Sequence, residues 1–442
     1  MRVSEVLGAL LLAAGTFRCA AAPADIVGAS LREALLVSQR ARVIVALREP
    51  EAARSLALQA GEIESVSAGV LRSVDPQEFA PTHRWTAIAG LAGVATREGV
   101  LRLAAHPDVV RIDLDVPMYA ALAESVPLVK ADAAHAKGVT GRGVLVAVLD
   151  SGVDADHPDI KGSLVAERCF CVTMDGAGCC PNGATEQDGR GSAADEDGHG
   201  TNVAGIITSD GRVAPPGMAP DADILAIKVI SRLAAGSSTA GFTSALDWIL
   251  SARPDVKIVN VSGGTGNLFA GVCDGAASFT TVMAAAVAKL KARGTVVFAS
   301  SLNNGSPNEI AAPACVSGAV AVGAVYDSAV GRVSLGCSDD TTRGDQVACF
   351  SNASSKLALL APGAPVTSAA RHGGTSTYVG TSQACPMAAG AAALLLEAKA
   401  SLSPDEIESA LKSSGTSVKD PRNGLTFTRI DVNAALKAAA GR

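Results

Sequence analysis

From Gly143 onward, short and almost continuously apolar runs alternate with longer helical stretches, and few architectures accommodate that pattern. The runs fall at residues 144–149, 224–230, 258–261, 296–299, 320–325 and 357–360, interrupted only by Lys228 and Asn260. Helical stretches lie between and beyond them at 201–208, 243–252, 279–293, where Gly294 stops the helix, and 385–400. A strand that is apolar at every position must be buried on both faces. The sequence therefore predicts an α/β domain, a doubly wound and mostly parallel sheet with helices on both faces. Ser403-Pro404-Asp405-Glu406 is a capping box with Pro at the first helical position, and Gly415 closes the helix it starts.

The 442 residues leave room for more than this sheet. Residues 42–115 read as a smaller α/β unit, with strands expected at 42–47, 85–89 and 109–115 and a helix at 96–105. The pattern breaks between Val116 and Ser125, around Pro117, Met118 and Tyr119, which suggests a linker.

Ten Cys point to an oxidising compartment. The N-terminus agrees. Arg2 precedes an apolar stretch at 6–14 and the small residues Ala20, Ala21 and Ala22, the layout of a secretory signal peptide over residues 1–22. No later run is apolar and long enough to span a bilayer. The group Cys169, Cys171, Cys179 and Cys180 lacks paired C-x-x-C zinc spacing, so disulfides are the better reading, and Cys337 with Cys349 and Cys273 with Cys315 are further candidate pairs. Removing Cys19 with the signal peptide leaves an odd number, and Cys385 is the candidate for the unpaired thiol. With 37 Lys plus Arg against 43 Asp plus Glu, the net charge of -6 makes nucleic acid an unsuitable partner.

In an open α/β sheet, ligands gather at the carboxyl ends of the strands. Asp150 ends the first run, in Leu149-Asp150-Ser151-Gly152, and no G-x-G-x-x-G follows to support a dinucleotide-binding oxidoreductase. His199 stands in Asp197-Gly198-His199-Gly200-Thr201, at the mouth of a helix of small residues. Ser382 stands in Gly380-Thr381-Ser382-Gln383-Ala384-Cys385-Pro386, where free backbone N–H groups at a helix start favour a developing oxyanion. A Ser hydroxyl is a poor nucleophile alone and needs a base such as His199, itself held in one tautomer by a carboxylate such as Asp150. His157, in Asp154-Ala155-Asp156-His157-Pro158, is a rival base close to Asp150.

These three motifs, in this chain order, resemble the subtilisin-like serine proteases, the subtilases. The resemblance implies a secreted serine endopeptidase of subtilisin-like fold, extracellular or periplasmic, acting on polypeptides as a monomer. It also implies synthesis as a self-cleaving zymogen, with a small ferredoxin-like α/β propeptide (23–122) inhibiting the peptidase domain (123–442) in the same chain. Residues 42–47 and 105–115 carry the propeptide resemblance. Autocleavage is then expected between Tyr119 and Ala123, because Ala123-Glu124-Ser125-Val126-Pro127 looks like a mature N-terminus. Ser262, Gly263 and Gly264 match the family's substrate-binding strand, and Asn303 matches the side chain that completes its oxyanion hole. His157 falls in what is a structural turn in the family.

Two positions depart from the pattern. Leu302 replaces a Gly before the oxyanion Asn, so that either the pocket for the substrate side chain is narrowed or Asn304 is the donor. Asn202 follows His199-Gly200-Thr201, where little effect is expected. Leu302 also feeds the contrary reading of a secreted peptide-binding pseudoenzyme. No cofactor is required for the chemistry. Calcium is admitted only as a structural ion, with the acidic stretch Asp188, Asp195, Glu196 and Asp197 as its candidate, although such a stretch more often forms a solvated surface.

Overall fold

The computed structural model describes residues 26–50, 56–115, 117–120, 127–231 and 237–441. The signal-peptide segment and residues 121–126, which hold most of the expected cleavage segment between Tyr119 and Ala123, lie outside the described residues. The N-terminal unit comprises α1 (Ala29–Val37), β1 (Arg40–Leu47), α2 (Leu56–Arg72), β2 (Phe79–Arg84), β3 (Gly90–Thr96), α3 (Arg97–Ala104) and β4 (Val109–Leu114). Its antiparallel sheet has the order β2-β3-β1-β4, the ferredoxin-like arrangement. Residues 85–89, expected as a strand, instead connect β2 to β3. Their apolar character has another cause: Trp85 and Ile88 are buried in the same cluster as Leu246, Ile249 and Met283 of the larger unit.

The second difference concerns the expected linker. Residues Pro117–Ala120 form a strand, β5, antiparallel to two strands of the larger unit, β10 (Ser237–Ser238) and β12 (Gly263–Thr265), and it lies between them.

The larger unit contains β6 (Leu145–Asp150), β7 (Leu164–Phe170), β8 (Glu186–Asp188), α4 (His199–Thr208), β9 (Asp223–Lys228), α5 (Thr239–Ala252), β11 (Ile258–Val261), α6 (Ser278–Ala292), β13 (Val296–Ser300), β14 (Val320–Tyr326), β15 (Leu359–Ala364), α7 (Thr381–Ala398), α8 (Pro404–Ser414), β16 (Thr416–Lys419), β17 (Thr426–Arg429) and α9 (Val432–Ala440). One 10-stranded sheet runs in the order β16-β17-β15-β14-β13-β11-β6-β9-β7-β8, parallel except for the pairing of the outermost strand at each end. The doubly wound expectation holds, and so does the physical reason for it. Along β6, Leu145, Ala147 and Leu149 pack with α5 and α6 on one face, while Val146 and Val148 pack with α4 and α7 on the other. Ser403 and Glu406 make the expected capping box of α8.

Disulfides join Cys169 to Cys180, Cys171 to Cys179, Cys273 to Cys315 and Cys337 to Cys349. Cys385 is in none of them and is buried in α7. Among the described residues, no helix is long and apolar enough to cross a membrane.

Candidate active site

The parallel arrangement brings the carboxyl ends of β6, β11 and β13 to one edge, and α4 and α7 start there. β6 ends on Asp150. His199 is the first residue of α4, after Gly198 at φ 102, a backbone conformation that glycine adopts without strain. The next residue must also be glycine. A Cβ on Gly200 would lie 2.0 Å from the Gly152 carbonyl oxygen and 3.1 Å from the Asp150 Cβ. This close approach sets His199 Nδ1 2.7 Å from Asp150 Oδ1, with both side chains buried. Because a carboxylate only accepts, Nδ1 carries the proton of the neutral ring and Nε2 is left as the basic nitrogen.

Ser382 occupies the second position of α7. Its Oγ donates to the Ser262 carbonyl at 2.9 Å, and Ser262 immediately follows β11. Asn303 stands beside the same helix start: its Oδ1 accepts the Thr381 N–H at 2.8 Å, while its Nδ2 is buried without a hydrogen-bond partner. Asn304 is placed otherwise. Its backbone N–H donates to Asn352 Oδ1 and its own Oδ1 accepts from Asn352 Nδ2, both at 3.0 Å, which ties it to a neighbouring loop. Leu302, just before, is held at φ 70 with its side chain buried. A left-handed conformation in a non-glycine residue costs about 1–3 kcal/mol and persists only where the surroundings enforce it. Gly263 and Gly264 belong to β12, with Gly263 opposite Ala120 and Gly264 opposite Tyr119 of β5.

His157 lies apart from this group in bonding. Its Nε2 is 2.9 Å from the Gly374 carbonyl, and its Nδ1 accepts the Asp159 N–H at 3.1 Å, so the ring ties a turn. The Cys385 thiol packs against the Val261 carbonyl, and burial pushes its pKa upward, away from a reactive thiolate.

The sequence reading did not anticipate what Asp195, Ser151 and Lys228 do around Asp150. Asp195 is a buried hub, not a solvated acid. Its Oδ1 accepts from Ser151 Oγ at 2.9 Å and from Gly198 N at 2.9 Å, and its Oδ2 accepts the Thr201 N–H at 3.0 Å and its hydroxyl at 2.5 Å. Ser151 Oγ in turn accepts the Gly200 N–H at 2.9 Å. Lys228, at the end of β9 and opposite Asp150 of β6, is fully buried and donates to the Ser151 carbonyl at 2.9 Å. The only signal for this cluster was proximity to His199. Both Asp195 oxygens are so engaged, and Asp188 and Glu196 pair with Arg168 and Lys228, so these three acids of the stretch are already bound within the protein. Among the described residues, no group of three or more His, Cys, Asp or Glu is arranged to hold a metal ion. Asn202, expected to matter little, bridges elements: its Nδ2 donates to the Ser376 carbonyl at 3.2 Å, and its Oδ1 accepts from Gln383 Nε2 of α7 at 3.2 Å.

Comparison with known proteins gives the same family as the motifs. The sequence model of the Subtilase family matches residues 141–428. The chain is 30% identical to subtilisin E of Bacillus subtilis over 334 residues, 74% of this chain and 75% of that protein. It is 31% identical to subtilisin DY of Bacillus licheniformis over 67% of this chain and 92% of that protein. It is 30% identical to an alkaline protease of Alkalihalobacillus alcalophilus over 85% and 87% of the two chains.

Proposed function

The chain belongs to the subtilase family and is a subtilisin-like serine endopeptidase, and on that footing we propose that Asp150, His199 and Ser382 form its catalytic triad. The observation that carries this reading is the buried 2.7 Å contact between His199 Nδ1 and Asp150, at the same sheet edge as Ser382. The steps are those established for the Ser-His-Asp triad in general. Ser382 Oγ attacks the scissile carbonyl as His199 Nε2 takes its proton. The charged imidazolium is stabilised by Asp150, which keeps its own charge, and His199 returns the proton to the leaving amine. Water then repeats the sequence on the acyl-enzyme.

Asn303 Nδ2, buried without a partner, is the oxyanion donor in this reading, together with the Ser382 backbone N–H. Removing such a donor costs about 100- to 1,000-fold in turnover, a magnitude itself measured on a subtilisin. The bonds of Asn304 to Asn352, which tie it to a neighbouring loop, favour Asn303 over Asn304 for that role. No step needs a cofactor.

Residues 23–122 act as an intramolecular inhibitor, with 1–22 as signal peptide and 123–442 as the mature monomeric enzyme, extracellular or periplasmic. Several observations support the inhibitor. β5 takes the central place between β10 and β12, as a substrate peptide would by strand addition. Asp113 accepts the Ser278 N–H at the start of α6, and Asp115 accepts from the Ser238 and Thr239 hydroxyls at the start of α5, so carboxylates sit at two helix N-termini. Trp85 Nε1 donates to Ser244 Oγ at 3.0 Å, and Asp247 accepts the Thr86 and Ala87 N–H groups.

The test is intact mass over time of the precursor lacking residues 1–22, beside its Ser382→Ala twin. Splitting of the wild type alone, between Tyr119 and Ala123, is expected. A folded wild type that neither splits nor reacts with a fluorophosphonate would favour the pseudoenzyme.

A further inference from the structure

The register of β5 on β12 shows where an extended chain lies. Passing from Tyr119 to Ala120, β5 moves from Gly264 to Gly263, toward Ser262. Ser262 is the residue whose carbonyl accepts from Ser382 Oγ. A chain continuing in this direction delivers a backbone carbonyl to Ser382 beside Ser262. Side chains of an extended strand alternate between its two faces, and one directed inward at this level enters the gap between β12 and the 301–303 segment.

That gap is filled. A Cβ on Gly264 would lie 3.3 Å from Leu302 Cγ, 2.7 Å from the Ala312 carbonyl oxygen and 3.4 Å from Ala311 Cβ. Leu302 is only 6% exposed, and its main chain is anchored where the Asn352 N–H donates to its carbonyl at 2.9 Å. The residue is therefore fixed on both sides: its backbone is held at φ 70 and its side chain is packed under the glycine strand. A glycine would suit that backbone and leave the gap open.

We propose that Leu302 sets the specificity of this protease, closing the recess for the substrate residue on the acyl side of the scissile bond so that small side chains such as Ala are accepted and aromatic ones are refused. The proposal rests on the triad and strand assignments above. An aromatic ring would have to displace a packed Leu side chain, and overpacking of this kind is unfavourable.

Mature wild type, Leu302→Gly and Leu302→Ala are compared on peptide anilides Ala-Ala-Pro-X with X as Ala, Leu or Phe. Each enzyme is first titrated with a fluorophosphonate, which phosphonylates Ser382 Oγ with loss of fluoride and a proton. Wild type is expected to favour Ala over Phe in kcat/KM by about tenfold or more, the usual discrimination of an apolar pocket. Leu302→Gly is expected to raise the Phe to Ala ratio by about tenfold or more, with Leu302→Ala between. Equal titration of all three with an unchanged ratio overturns the role of Leu302 alone. So does a wild type that cleaves the Phe substrate as well as the Ala one, which needs no variant to fold. Failure of the wild type to titrate overturns the triad assignment beneath it and the proposal with it.

Discussion

Ser262 and Ser382 exchange two hydrogen bonds: Ser262 Oγ donates to the Ser382 carbonyl at 2.6 Å, and Ser382 Oγ donates to the Ser262 carbonyl at 2.9 Å. The first bond compensates a gap in α7. Pro386, four residues after Ser382, has no N–H to give to that carbonyl, and the Ser262 hydroxyl supplies the missing donor. The pair fastens the proposed substrate strand to the helix that carries the proposed nucleophile.

Ser262→Ala is accordingly expected to lower stability by about 1–3 kcal/mol, the cost of a buried acceptor left without a partner. It should also lower kcat while leaving fluorophosphonate labelling of Ser382 complete. Urea denaturation and steady-state kinetics check both effects, and a variant as stable as wild type would show the carbonyl to be satisfied in another way.

Gly200→Ala introduces a methyl group 2.0 Å from the Gly152 carbonyl, so α4 must move away from β6. Misplacement of catalytic groups by about 1 Å costs about 100-fold, and a kcat loss of at least about that size is expected in a protein whose circular dichroism still reports a folded chain. Full activity would mean that His199 and Asp150 tolerate separation.

Acid sensitivity has a local source at Asp159. Burial pushes this carboxyl up, but N–H groups of Ala214 and Val213 and the Ser209 hydroxyl outweigh burial and hold it below the usual carboxylate range. A depressed folded pKa contributes stability that is complete above the unfolded value of about 4 and is lost as pH falls through the folded value. Asp159→Asn should therefore melt below wild type at pH 7, and the difference should shrink below about pH 4. A difference that stays constant with pH would show that the carboxylate charge is immaterial.

The nested disulfides Cys169–Cys180 and Cys171–Cys179 buttress the outer strand of the cleft. Val172 accepts the Ser238 N–H of β10 at 2.7 Å, and Cys171 Sγ lies 3.7 Å from Ser237 Oγ. Replacing Cys171 and Cys179 together by Ser should raise KM for peptides that extend along β10 by up to about tenfold, roughly 1.4 kcal/mol, with kcat little changed. An equal loss in kcat would place the effect at Ser382 instead.

The parallel sheet was legible in the sequence because runs such as residues 145–149 and 296–299 are apolar at every position, which only burial on both faces explains. The candidate site could be read where chemistry restricts residue type, as at Asp150, His199 and Ser382. It was illegible where the constraint is on the backbone. Nothing in Pro117-Met118-Tyr119-Ala120 marks a strand, because β5 is held by main-chain pairing to β10 and β12. Trp85 and Ile88 misled for the opposite reason: side chains apolar for the sake of a distant surface imitate a local strand. Asp195 looked like a surface acid because sequence gives no sign that five donors converge on it.

β5 occupies a slot with a strand edge on each side, and that geometry selects among clients before any side chain is tested. A segment can enter only after surrendering the hydrogen bonds it makes at home, over a stretch about as long as β5. A target's resistance is then the free energy of opening that stretch. If this slot is the substrate site, as proposed, frayed or unfinished chains are expected to be cleaved ahead of intact neighbours with the same sequence.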